Sequence, residues 1–197
     1  PTGESTSAYH IFERLNTGGT PLKPQEIRNC VFRDGFNNLL KQANKDKNWR
    51  KIIGKDYIDK HQKDVELLLR IFSLVGAVDE YEKPMKEFLN IAMKRHNSGT
   101  SKKVTNFFDA FGKVTEAVVK AVGAKPFHLR GPLNVSAIDS VMCVLIENYK
   151  RIEKIDIKEK YNLLIKDSRF DELTRINTTD TKTVKERIAK VKEYFVG

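Results

Sequence analysis

The chain has 197 residues, 40% of them hydrophobic, and 36 Lys and Arg against 26 Asp and Glu give it a formal net charge of +10. The length bounds it to one large domain or two small ones, and the apolar share excludes a disordered chain. The longest apolar stretch, Leu67 to Val75, is broken by Arg70 and Ser73 and falls far short of the roughly 20 residues of a membrane-spanning helix.

Apolar residues recur at helical spacing almost throughout. Ala8, Ile11, Phe12 and Leu15 form a first stripe that stops at Asn16-Thr17-Gly18-Gly19. Pro24 opens a second helix, at the position where its missing N–H is tolerated, with Glu26 in the first turn and Ile27, Cys30 and Val31 inward. Phe36, Leu39, Leu40 and Ala43 mark a third. Val65 to Val75 is apolar on nearly all sides and reads as the central helix of a bundle. Pro84 starts another, with Met85, Phe88, Leu89, Ala92 and Met93 inward. Val104 to Val122 marks a helix of about 20 residues, or about 30 Å, ending at Gly123. Val135, Ile138, Val141, Met142, Leu145 and Tyr149 give a buried helix after Pro132. Tyr161, Leu164 and Ile165 give a shorter one, and Val184, Arg187, Ile188, Val191 and Phe195 the last.

No stretch alternates as a strand between hairpin turns; Phe127 to Leu129 and Ile155 to Ile157 read as edge strands or plain connections. The expectation is an all-α, multi-helix bundle of eight to ten helices, a single domain over 1–197 whose weakest seam is the Gly- and Pro-rich stretch 123–134. Cys30 and Cys143 are too few for a disulfide scaffold and read as small buried thiols in a reducing, cytoplasmic compartment. Pro1 to Ser7 lack the charged start and apolar run of a secretory signal and read as a frayed end or cut point.

The charge is clustered. Residues 41–63 hold eight cations, among them Lys47, Arg50 and Lys51, against three acids. Residues 94–103 hold Lys94, Arg95, Lys102 and Lys103 with no acid, around the Gly/Ser loop Asn97 to Ser101. Cations gathered this way suit nucleic-acid phosphates, and a solvated lysine surface gives the same pattern. DNA is the expected partner.

Catalytic machinery is scarce. His10, His61, His96 and His128 form no metal-ligand spacing, so no metal site is expected. No Walker-type loop is present, and the carboxylate pairs Asp79/Glu80 and Asp171/Glu172 are adjacent, so they point apart on a helix. No catalytic residue is assigned.

One segment is dense: Phe12-Glu-Arg14-Leu-Asn16-Thr-Gly18-Gly19-Thr-Pro-Leu-Lys23-Pro-Gln25-Glu26-Ile-Arg28-Asn29. A Gly-Gly turn lets the second helix fold back on the first. Arg14 and Arg28 then approach one pocket from two sides. Alternatively the segment is a structural corner, with Asn16 ending a helix and Arg14 or Arg28 paired with Glu26. Lys23 stands where Ser, Thr or Asn would cap the helix, so the cap is weaker or comes from elsewhere.

This segment resembles the Phe-x-Arg-Leu/Ile-Asn-x-x-Gly-x-x-Leu-x-x-x-Glu-Ile-Arg signature of the ParB-like domain of unknown function in GmrSD-type restriction proteins. The stretches Asp64 to Arg70 and Tyr81 to Leu89 are similar to that family as well. The likeness covers about residues 9–90. It implies a phage-defence module whose ParB-like core, carrying an Asp-Gly-Gln-Gln-Arg motif for NTP binding and hydrolysis with Mg, is missing here, as is any HNH nuclease constellation. The chain would then be the helical half, inactive alone, with the core or a nuclease domain or subunit as partner. By resemblance, Arg14 and Asn16 complete the nucleotide pocket, Gly18 and Gly19 shape its rim, and Gln25, Glu26, Arg28 and Asn29 support it. Beside this stands a helical DNA-binding or protein-interaction domain with no enzymatic role.

Overall fold

Leu67, Leu68, Leu69, Ile71, Phe72 and Leu74 make α5 (Lys63–Leu74) apolar around most of its circumference, and it is buried along nearly its whole length. Full burial of one such side chain stabilises the fold by about 1.5–3 kcal/mol. The partner of α5 is α8 (Val135–Glu147), in which every residue from Ser136 to Ile146 is buried. Around this pair stand α1 (Ser7–Leu15), α2 (Pro24–Val31), α3 (Gly35–Ala43), α4 (Lys47–Ile53), α6 (Met85–Arg95), α7 (Lys102–Val122), a 3-10 helix (Tyr149–Lys154), α9 (Ile157–Leu164), α10 (Ser168–Leu173) and α11 (Thr181–Phe195). The computed structural model describes residues 7–16 and 21–197; among them ten helices have seven residues or more and there is no strand. The all-α expectation holds. No described helix is long and apolar enough to cross a membrane.

Against α8 pack α5, α7 and α11; α7 also carries α4, α9 and the 3-10 helix. One apolar core runs from Phe32 to Phe195 through all of these. Residues 123–134 are stapled into the body: Lys125 N–H donates to Lys51 O at 3.0 Å, and Phe127 is buried. Phe127 to Leu129 and Ile155-Asp156 are connections, not edge strands, and Ile157 opens α9.

Helix α4 has no counterpart in the sequence reading. Trp49, Ile52 and Ile53 are its buried face, and Asp46 caps it by accepting from Trp49 N–H at 2.7 Å. The i, i+3, i+4 spacing was present, but five cations between Lys45 and Lys55 obscured it.

A second tie crosses the core. Asp139 on α8, fully buried, takes Arg70 from α5 and Arg187 from α11, the latter at 3.4 Å. Arg187 also donates to Ser140 Oγ at 2.7 Å and to the carbonyls of Leu173 and Thr178. Two guanidinium groups thus share one carboxylate, and burial with Arg70 alongside pulls the pKa of Arg187 down.

Candidate functional site

The dense N-terminal segment forms a corner in which α1 lies on α2, and α2 lies on α5 and α6. Its centre is Arg28, 1% exposed. Nη1 donates to Glu66 at 2.7 Å and to Gln25 Oε1 at 3.1 Å, Nε to Asn90 Oδ1 at 2.8 Å, and Nη2 to Lys86 O at 3.3 Å. The guanidinium also lies 5.7 Å from the centroid of the Tyr9 ring. Burial pushes the Tyr9 phenol up to about 12, against the pull of Arg28. Arg28 has no open side for a ligand, which corrects its assignment to a shared pocket. The reason is physical: α5 and α6 supply an acid and an amide that surround it.

Arg14 goes the other way and is exposed, so the two arginines do not meet. Asn16 Nδ2 donates to Leu22 O at 3.4 Å, which ties the end of α1 to the approach of α2. Gly18 and Gly19 lie outside the described residues. Glu26 does not pair with Arg28: its carboxylate accepts from Lys23 N–H at 2.7 Å and faces His61 at 3.4 Å. The helix cap lacking at Lys23 is therefore supplied from the third residue of α2. Asn29 bonds Gln62, and Gln25 is buried beside Arg28. These residues hold the corner together, and of the described pocket candidates Arg14 alone is exposed.

The basic segments divide as well. Arg50 is drawn inside, with Asp64 at 2.7 Å, Asn44 Oδ1 at 3.1 Å and Lys55 O at 2.8 Å, so it is not available to DNA as the sequence reading expected. Lys47 and Lys51 stay exposed on α4. Arg95 faces Glu80 at 3.3 Å, and Lys94 sits half-buried on the last turn of α6. The loop between them and Lys102 is docked, not free. Asn97 O accepts from Phe36 N–H at 3.1 Å, and Asn97 Nδ2 donates to Asp34 at 2.9 Å. Gly35 and Gly99 let the two backbones approach, because a Cβ on Gly35 would stand 2.4 Å from Ser98 O.

Lys102 and Lys103 open α7, where the positive end of the helix dipole disfavours cations by a few tenths of a kcal/mol. They line a groove of 690 Å³ whose opposite wall brings two cations that the sequence reading missed, Lys150 and Arg151 from the 3-10 helix. Tyr149 and Phe107 contribute aromatic surface. The one acid in the wall, Glu147, is occupied by Lys192 at 3.2 Å and by Gly76 N–H at 2.8 Å. Lys102, Lys150 and Arg151 are exposed. Lys103 is half-buried, its ammonium 4.9 Å from the Phe72 ring centroid and 3.4 Å from Ser73 O, and burial lowers its pKa. The missed pair is 47 residues or more from Lys103 in sequence, so no local cluster announced it.

Beside the groove, His96 packs edge-on to Phe72 at 5.1 Å and bonds Ser101 at 2.8 Å. Burial, with Lys103 and Arg95 nearby, lowers its pKa to about 4. No group of three or more His, Cys, Asp or Glu among the described residues is placed to hold a metal ion. What the groove can do is hold anionic oxygens between two walls of cations, with an aromatic surface alongside. Comparison with protein-family models, curated proteins and solved structures gave no match.

Proposed function

We propose that the chain is the helical module of a GmrSD-type, ParB-like restriction protein, and that its own part is to hold DNA phosphates in the groove at the start of α7. The observation that carries this reading is the meeting of Lys102 and Lys103 with Lys150 and Arg151 around a groove whose one acid is already paired. Phosphate contacts of this kind supply affinity without sequence preference. The signature from Phe12 to Asn29 supports the family assignment.

The residues present do not make up a nucleotide site on their own. Arg28 is enclosed by acceptors, and Arg14 alone remains for an NTP held mainly by a ParB-like core. A second reading, a protein-interaction module, is favoured by α1, where Ile11, Phe12 and Leu15 are 57%, 40% and 76% exposed. In the restriction reading the same face is where the core would dock.

A salt titration of duplex DNA binding tests the proposal. The triple variant Lys102→Ala, Lys150→Ala, Arg151→Ala is expected to flatten the slope of log affinity against log salt by about 2.7, at about 0.9 per phosphate contact. An unchanged slope would place DNA elsewhere.

A further inference from the structure

A cleft of 460 Å³, sharing no residue with the basic groove, opens between the end of α4, the first half of α5 and the entry to α8. Its apolar wall is Ile53, Leu67, Leu133 and Val135. Two acids also line it, but both are neutralised from behind. Asp64 holds Arg50 at 2.7 Å and Glu66 holds Arg28 at 2.7 Å, and neither arginine reaches the cleft.

The cations of the wall are less well matched. Lys55 has Asp59 at 3.3 Å. Lys63 is exposed and forms no ion pair with a described residue. Arg70, 9% exposed, gives its Nε to Asp139, which it shares with Arg187. Its Nη2 is buried and no described group accepts from it. An unmatched buried donor of this kind is costly, and the same guanidinium group lines the cleft.

We propose that this cleft binds a small organic monocarboxylate with an apolar body. The carboxylate meets Arg70 and Lys63, and the body lies against Leu67, Leu133 and Val135. The volume is in the range of small-molecule sites, and the mix of apolar wall with a few polar groups is what such sites use. A single negative charge fits better than two. Lys55 and Arg70 already have Asp59 and Asp139, and Asp64 and Glu66 have Arg50 and Arg28, so among the described charges of the wall Lys63 alone calls for one further negative charge. The inference is independent of the DNA reading, since none of its residues lines the basic groove.

Calorimetric titration of the full chain with 4-phenylbutyrate, its neutral amide and phenyl phosphate tests this. The carboxylate is expected to bind about tenfold or more tightly than the amide, the ratio one charge-assisted contact gives, and more tightly than the phosphate. Arg70→Met removes the contact but leaves Asp139 with Arg187 alone, so it risks the fold. Val135→Glu, at a rim position 41% exposed, avoids that risk and is expected to weaken the carboxylate by about tenfold through like-charge repulsion. Equal binding of acid and amide, tighter binding of the phosphate, indifference to Val135→Glu, or no binding by any of the three would each overturn the proposal.

Discussion

At the corner of α1 and α2 Arg28 turns inward and holds helices to one another, whereas around the groove at the start of α7 Lys102, Lys150 and Arg151 turn to solvent. The corner needs Arg28. Tyr9 and Ile27 are buried there but stand apart from the main apolar core, so Arg28, Glu66, Gln25 and Asn90 supply the cohesion. The groove rests on α7 and α8, whose apolar faces already fix its walls. The same residue type is therefore structural in one place and available in the other. What decides between them is whether acceptors from distant helices close around it.

Breaking the corner is expected to give the largest effect. Arg28→Ala leaves the buried Asn90 and Gln25 without their donor, while Glu66, 38% exposed, can turn to water, and a buried polar group left unmatched costs about 1–3 kcal/mol. Urea denaturation reads this directly; a loss within experimental error would mean that the corner does not need its arginine. His96, at the edge between core and groove, gives a smaller effect that depends on pH. Its folded pKa of about 4 lies below the unfolded reference of 6.5, so the unfolded chain takes the proton first. Stability from the neutral ring is fully present above 6.5 and is lost as pH falls through 4. His96→Phe is expected to flatten thermal stability across that window, and an unchanged acid limb would show that the ring is not protected. The smallest effect on stability belongs to the groove. The triple variant at Lys102, Lys150 and Arg151 is expected to stay within about 0.5 kcal/mol of the parent, although it alters DNA binding. A large loss of stability there would erase the distinction between the two regions.

Much of the fold is legible in the sequence because periodicity reports local geometry. Leu67 to Leu74 announces a central helix, and Gly123 ends α7 with φ of 79°, a conformation glycine adopts freely. Pairing is harder to read because it is made across distance. Nothing near Arg28 in sequence reveals that Glu66 and Asn90, 38 and 62 positions away, will enclose it. Glu26, only two positions from Arg28, instead caps its own helix and faces His61. Arg50 misleads in the same way, since it lies in a lysine-rich run yet is recruited by Asp64. Lys150 and Arg151 are ordinary in sequence and matter only because the 3-10 helix faces the first turn of α7.

The carboxylate shared by two arginines also governs how the chain tolerates shortening. The last helix brings more than Val184, Ile188 and Val191 to the interior, for it also delivers Arg187 to Asp139 and to the carbonyls of Leu173 and Thr178. A cut ahead of Thr181 would strip one cation from that knot and bare the surface of α8 in a single stroke. Trimming at this end is consequently abrupt: a protease would find no halfway product, and the fifteen residues of α11 act as a keystone that remains with the whole or takes it down.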